Sequence, residues 1–352
     1  MRQRLSSDVF TIPVAEIKQG FFSDSYFVRT RDILIRDNRH PRVLMQVFLR
    51  QQAVVCGLDE AIAIIGKCAH NPKDLVVRAL FDGDEVEPWE TVMTIEGDLA
   101  NFSHLETVYL GVISRQTKIA TNVRRCVKAA GGKPVMFFPS RFDHYSVQKS
   151  DGYAAFIGGV AGVSTPANGA YWGAKAMGTI PHALIAAYNG DTVAATQAFD
   201  KYIDPAVNRV ALVDFDNDCV GTSLAVARAL GKKLWAVRLD TADTLVDVSV
   251  LPHMGIFKPT GVCRQLVINV REALDREGFN HVKIMVSGGF NAERIAEFEQ
   301  AGTPVDIYAV GSSLFNDNIN FTADVVMVDG KPCSKVGRKY RPNPRLETVV
   351  LD

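Results

Sequence analysis

The chain has 352 residues, with 39 Lys plus Arg against 39 Asp plus Glu and a formal net charge of zero. That balance lacks the electrostatic footprint of a general nucleic-acid binder, so no nucleic-acid partner is expected. Hydrophobic residues at 47% and charged residues at 22% describe a folded globular chain, and its length suggests two domains at about 150 residues each. Cys56, Cys68, Cys126, Cys219, Cys263 and Cys333 form no CxxC pair, which excludes a zinc ribbon and argues against a disulfide framework. The opening MRQRLSSDVFTIPVAEIKQG has no apolar run of a secretory signal. No stretch approaches the roughly 18 apolar residues of a membrane helix. The expectation is a cytoplasmic protein with reduced thiols and no membrane partner.

In chain order, residues 43–56 and 74–80 are apolar runs without a clear helical or strand period. Residues 81–99, FDGDEVEPWETVMTIEGDL, read as short antiparallel strands punctuated by Asp-Gly and Pro. Residues 100–130 read as a long helix bent at Gly111 and ended by Gly131-Gly132. Residues 1–130 are thus a smaller N-terminal α+β domain. From 131 a βα repeat takes over, with strands expected at 133–138, 209–215, 233–239, 283–289 and 306–312 and helices at 221–231, 264–278 and 292–302. Continuous apolar strands imply cover on both faces. The fold class is α/β: an irregular β/α barrel over 131–324 behind the smaller domain, with a doubly wound sheet as the alternative.

Such barrels build their ligand sites at the C-terminal strand ends. Those ends read Ser140-Arg141, Asp214-Phe215-Asp216, Arg238-Leu239-Asp240, Ser287-Gly288-Gly289 and Gly311-Ser312-Ser313. One such residue alone is a turn or cap; five polar ends on one rim point to a site. The two Gly-rich ends suit an oxyanion cradle, with backbone N–H groups and a following helix start facing a phosphate. Arg238 and Asp240 alternate along one strand and share a face, where the guanidinium suits phosphate or carboxylate and Asp240 suits Mg²⁺ or sugar hydroxyls. His182 follows Gly178-Thr179 and Pro181, so a helix is expected to start near Pro181. There the dipole would favour a neutral imidazole, a nucleophile or base, although a lone histidine is more often structural.

SDSYF (23–27), the DGD…EPWE turn (82–90), ISRQTKIAT (113–121), FFPSR (137–141), MGTIPHAL (177–184), VRLDTAD (237–243), VSGG (286–289) and VGSS (310–313) together resemble nicotinate phosphoribosyltransferase, within the group that includes the quinolinate and nicotinamide enzymes. The resemblance implies an N-terminal sandwich-like domain completed by residues 325–352, packed on the barrel, and homodimers with shared active sites. It implies a reaction of nicotinate with phosphoribosyl pyrophosphate that gives nicotinate mononucleotide and pyrophosphate, a step of NAD biosynthesis, coupled to ATP hydrolysis and using Mg²⁺. By the same resemblance His182 is similar to the phosphorylated histidine and Thr179 to a nicotinate contact. Phe138 is similar to the ring that stacks on the pyridine, with Tyr26 from the partner subunit on the other face. Arg141 and Arg238 match the arginines that hold carboxylate and phosphates, Asp214 and Asp240 match carboxylates near ribose and metal, and Ser287, Gly288, Gly289, Gly311 and Ser312 match the phosphate cradle. His182, Arg238 and Asp240 are the expected catalytic set. Which of Asp214, Asp216 and Asp218 faces the site stays open.

The rival readings are quinolinate phosphoribosyltransferase, which needs cations for a second carboxylate and no phosphohistidine, and the nicotinamide enzyme. A catalytically silent binder of phosphorylated sugars is the reading from another class, and His182 with Arg238 and Asp240 argues against it.

Overall fold

The computed structural model describes residues 2–351, which divide into two compact units. The first unit holds the residues up to Thr121 together with those from Asp317 onward, and the second spans Asn122–Asn316. The division falls inside a long helix rather than at the glycine pair that follows it.

The first unit opens with helices α1 (Val14–Gln19) and α2 (Ser25–Arg36). The undecided apolar run at 43–56 becomes strand β1 (Arg42–Leu49) and the short β2 (Ala53–Val54). Helix α3 (Leu58–Cys68) follows, then β3 (Val76–Ala79), β4 (Glu85–Val86) and β5 (Thr91–Asp98). Two 3₁₀ turns lead into α4 (Glu106–Ala129), 24 residues that run through Gly111 as one element.

The second unit holds β6 (Val135–Phe137), α5 (Gln148–Gly158), β7 (Gly162–Val163), α6 (Pro166–Gly169), α7 (His182–Ala187) and α8 (Thr192–Tyr202). It continues with β8 (Arg209–Leu212), α9 (Cys219–Leu230), β9 (Leu234–Leu239), α10 (Arg264–Arg276), β10 (Lys283–Val286), α11 (Ala292–Gln300) and β11 (Ile307–Val310). The chain then returns to the first unit with β12 (Phe321–Val328), β13 (Lys331–Pro332) and β14 (Glu347–Val349).

The first unit's main sheet is antiparallel in the order β13-β12-β1-β5-β3-β14. Its core packs Val47, Leu49, Met93 and Ile95 of the sheet with Leu58, Ile65 and Tyr109 of the helices. The returning strand β12 is therefore integral, since it pairs with β1 over most of that strand's length.

The second unit's sheet is parallel throughout, in the order β7-β6-β11-β10-β9-β8. Its outer strands β7 and β8 do not pair, so it is a curled half-barrel rather than a closed one. Met136, Val210, Ala236, Met285, Ile307 and Ala309 form one buried layer. Their strand neighbours Phe137, Ala211, Val237, Ile284 and Tyr308 are equally buried, the period-two pattern of a sheet covered on both faces. One step beyond that layer, on the same side, come Phe138, Leu212, Arg238, Ser287 and Gly311. Sheet periodicity alone delivers these five residues to one rim.

Candidate active site

Arg238 is the hub of the rim. Its Nη2 donates to Asp240 Oδ2 at 2.8 Å, its Nε to Ser287 Oγ at 2.9 Å and its Nη1 to Thr179 Oγ1 at 3.2 Å. Ser287 Oγ donates in turn to Asp240 Oδ1 at 2.6 Å, which closes a ring of bonds that fixes both carboxylate and guanidinium. The Phe138 ring lies 5.8 Å from Arg238 Cζ, within cation–π range. β9 and β10 pair with Arg238 opposite Met285 and Leu239 opposite Val286, so the parallel register puts Ser287 level with Asp240, one same-face step beyond Arg238.

His182 is the first residue of α7, and Pro181 is the extended cap before it (φ −86, ψ 159) rather than a helical residue. The helix is only six residues long, so a dipole argument for the imidazole carries little weight. Asp214 orients the ring instead: His182 Nε2 lies 3.0 Å from Asp214 Oδ1, with the histidine side chain 47% exposed and the carboxylate 7%. A carboxylate so placed selects the tautomer with hydrogen on Nε2, and Nδ1 has no protein partner among the described residues. Burial pushes the Asp214 carboxyl above its ordinary range, against the opposing pull of His182. Asp214 supports His182, Asp218 caps α9 by accepting Gly221 N–H, and Asp216 is exposed.

Gly288 and Gly289 sit between β10 and α11 with φ +85 and +75, a region that only glycine enters freely. At the next strand end a Cβ on Gly311 would stand 3.2 Å from the Phe142 ring. The expected helix start after Gly311 is absent: a four-residue 3₁₀ turn, Ser312–Phe315, follows instead. Of the two Gly-rich turns, the first leads into α11, whereas the chain after β11 runs through this 3₁₀ turn into β12 of the first unit. Ser313 Oγ donates to Phe290 O at 2.7 Å and ties the two Gly-rich turns together.

Phe138, Arg141, His182, Arg238, Asp240, Ser287, Gly288, Gly289, Gly311 and Ser312 line one cavity of about 490 Å³. Thr179 reaches it through Arg238, and Asp214 through His182. Arg141 is exposed, with its guanidinium 5.0 Å from the Phe142 ring, and forms no ion pair among the described residues. Tyr26 is not brought to this cavity. It stands on α2 of the first unit, 58% exposed, in a groove with Phe27, Glu106 and Asp324. Sequence reasoning missed Ser164 and Thr165, which follow the two-residue strand β7, and the aromatic walls Phe142 and Phe290. The one local signal was Thr165-Pro166, a helix start whose threonine accepts Asn168 N–H.

Magnesium fits this donor set poorly as a resident ion. Both Asp240 oxygens are taken by Arg238 and Ser287, and no group of three or more His, Cys, Asp or Glu is placed to hold a metal among the described residues.

Two family models match the chain: the quinolinate phosphoribosyl transferase N-terminal domain over residues 24–117 and its C-terminal domain over 119–318. The chain belongs to the quinolinate phosphoribosyl transferase family. A nicotinate phosphoribosyltransferase of Mycobacterium tuberculosis is 32% identical over 272 residues, 75% of this chain and 56% of the relative. A nicotinate phosphoribosyltransferase of Bacillus subtilis is 24% identical over 83% of this chain and 62% of the relative. The chain therefore spans little more than half the length of these curated relatives. Among solved structures, the nicotinate-nucleotide pyrophosphorylase of Pyrococcus furiosus is 36% identical with a TM-score of 0.82, covering 97% of this chain and 85% of that one. No helix among the described residues is long and apolar enough to cross a membrane.

Proposed function

We propose that this protein is a nicotinate phosphoribosyltransferase, which joins nicotinate to phosphoribosyl pyrophosphate and hydrolyses ATP through a phosphohistidine at His182. The observation that carries this reading is the half-exposed His182 backed by the buried Asp214 at the mouth of the Arg238 cavity. Transfer to an uncharged pyridine nitrogen needs no general base, so a histidine held in one tautomer with a free Nδ1 serves another step. Attack of Nδ1 on the γ-phosphorus of ATP forms the N–P bond and releases ADP, and water later cleaves that bond to give phosphate. ATP is then a co-substrate.

For the transfer itself, the pyridine ring stacks on Phe138, and Arg141 is the free cation for its carboxylate or for phosphate. The Gly288-Gly289 and Gly311-Ser312 turns take the 5′-phosphate through backbone N–H groups. Arg238, fixed by three bonds, meets charge that grows on the leaving pyrophosphate, and the Asp240 carboxylate stabilises the oxocarbenium-like ribose. Positioning does most of the work, since the nucleophile is already competent. Magnesium enters as part of the substrate, bound to the pyrophosphate, which suits an ion that keeps phosphate and water ligands. Tyr26 fits the open face of the pyridine from a partner subunit, so the active unit is a homodimer with shared sites.

The two family models, both described as quinolinate phosphoribosyl transferase domains, favour quinolinate as the second reading. Quinolinate brings a second carboxylate, whereas Arg141 is the one arginine lining the cavity without a carboxylate partner. Assays of mononucleotide formation with nicotinate, nicotinamide and quinolinate, each with and without ATP, separate the readings. Nicotinate should react fastest and gain from ATP; fastest turnover of quinolinate, indifferent to ATP, would replace this proposal with the second.

A further inference from the structure

Helix α11 breaks a local rule. Asn291 caps it by accepting Arg294 N–H at 2.9 Å, so Arg294 occupies the third helical position. An acidic or amide residue is favoured there, because it can bond back to the cap and because the positive end of the dipole repels a cation. The Arg294 guanidinium turns off the helix and lies 4.4 Å from the Phe290 ring centre. Its Nη1 donates to Gly288 O and its Nη2 to Val262 O, both at 2.8 Å. No carboxylate forms an ion pair with it among the described residues. A cation placed against the helix field and half-withdrawn from water spends two donors on the backbone of two separate loops.

What those bonds hold explains the arrangement. The Gly288-Gly289 turn has no side chains, and it walls two cavities at once. One is the site of about 490 Å³, and the other, of about 880 Å³, is also lined by Phe257, Lys258 and Arg294. With no side chains and space on both sides the turn has little packing to hold it, and glycine backbone is the costliest to order. Such a turn needs a tether from outside itself.

We infer that Arg294 is a positioning residue that clamps the Gly288-Gly289 turn to the segment ending at Val262 and so pre-forms the phosphate cradle. This inference rests on the phosphoribosyl reading above for its ligand. The planar guanidinium fork spans both carbonyls, whereas a lysine at 294 offers one compact ammonium and can satisfy only part of the clamp.

The test compares wild type with Arg294→Ala and Arg294→Lys by steady-state kinetics and by hydrogen exchange of segments 257–263 and 287–291. Arg294→Ala should raise KM for phosphoribosyl pyrophosphate about tenfold or more, with kcat within roughly threefold and KM for nicotinate within about twofold. Arg294→Lys should fall between the two. Exchange should quicken in those two segments and stay unchanged in β9, β10 and β11. Unchanged exchange in both segments overturns the inference, and so does faster exchange throughout, which would make Arg294 a general packing residue. If the wild type forms no mononucleotide, the functional reading fails by itself, while the exchange pattern still decides whether the clamp exists.

Discussion

Two arginines reach the same cavity from different strand ends, and they are held in opposite ways. Arg238, on β9, is bonded to Asp240, Ser287 and Thr179 with its side chain 18% exposed. Arg141, beyond β6, is exposed, lies over the Phe142 ring and forms no ion pair among the described residues. The first has lost its freedom before any ligand arrives, so it can meet charge that appears only in the transition state without reorganising. The second keeps its freedom and its full charge, which suits capture of an anionic substrate in the ground state. On the proposed function, fixed and free cations divide the work of one site.

The substitutions Arg238→Ala and Arg141→Ala test that division, and the larger effect belongs to the first. Arg238→Ala removes a charge-assisted contact worth about 1.5–3 kcal/mol and leaves Asp240 without its cation. Its kcat should fall about 10- to 100-fold, with a lowered melting temperature. Arg141→Ala should leave kcat and melting temperature near wild type and raise KM for nicotinate or phosphoribosyl pyrophosphate roughly tenfold, an effect that shrinks in high salt. If the two variants show the same split between kcat and KM, the contrast is wrong.

The same distinction between paired and unpaired charge recurs in the first unit with a smaller, pH-dependent effect. Glu106, at the start of α4, is pushed up to about 7 by burial and by the nearby Asp324 and Asp24 carboxylates. The folded state thus binds more protons than the unfolded one between pH 4.5 and about 7. Stability should be greatest below that window and fall as pH rises through it, by about 1–3 kcal/mol. Urea unfolding across this range should show the loss, and Glu106→Gln should remove much of it. A midpoint that rises with pH over the same range would refute the assignment.

The legible parts of this protein were those governed by short-range rules. The five barrel strands and three of their helices fell where apolar runs and turn residues placed them, within a few residues, because each strand is buried on both faces. The rim followed from period-two alternation, which put Arg238 and Asp240 on one side and Ser287 and Gly311 beside them. What failed depended on the chain's path beyond the element. Nothing local to VGSS announces that the chain leaves the sheet after β11, so the expected helix became a 3₁₀ turn. Nothing near His182 names Asp214, 32 residues away, as the group that sets its tautomer. Strand β7, two residues long, is too short to carry a pattern, and Ser164 and Thr165 were lost with it. Arg294 carried a signal, a cation at a helix start, that makes sense only once Gly288 O and Val262 O are seen around it.

The phosphoryl group proposed for His182 can be sought by labelling. Wild type incubated with γ-labelled ATP should take up an acid-labile, base-stable label that maps to His182 and sits on Nδ1, because Nε2 faces Asp214. His182→Asn should take up none and should form mononucleotide slowly, without ATP hydrolysis. ATP hydrolysis by His182→Asn in step with product would exclude the phosphohistidine and return His182 to a residue that merely opens a short helix.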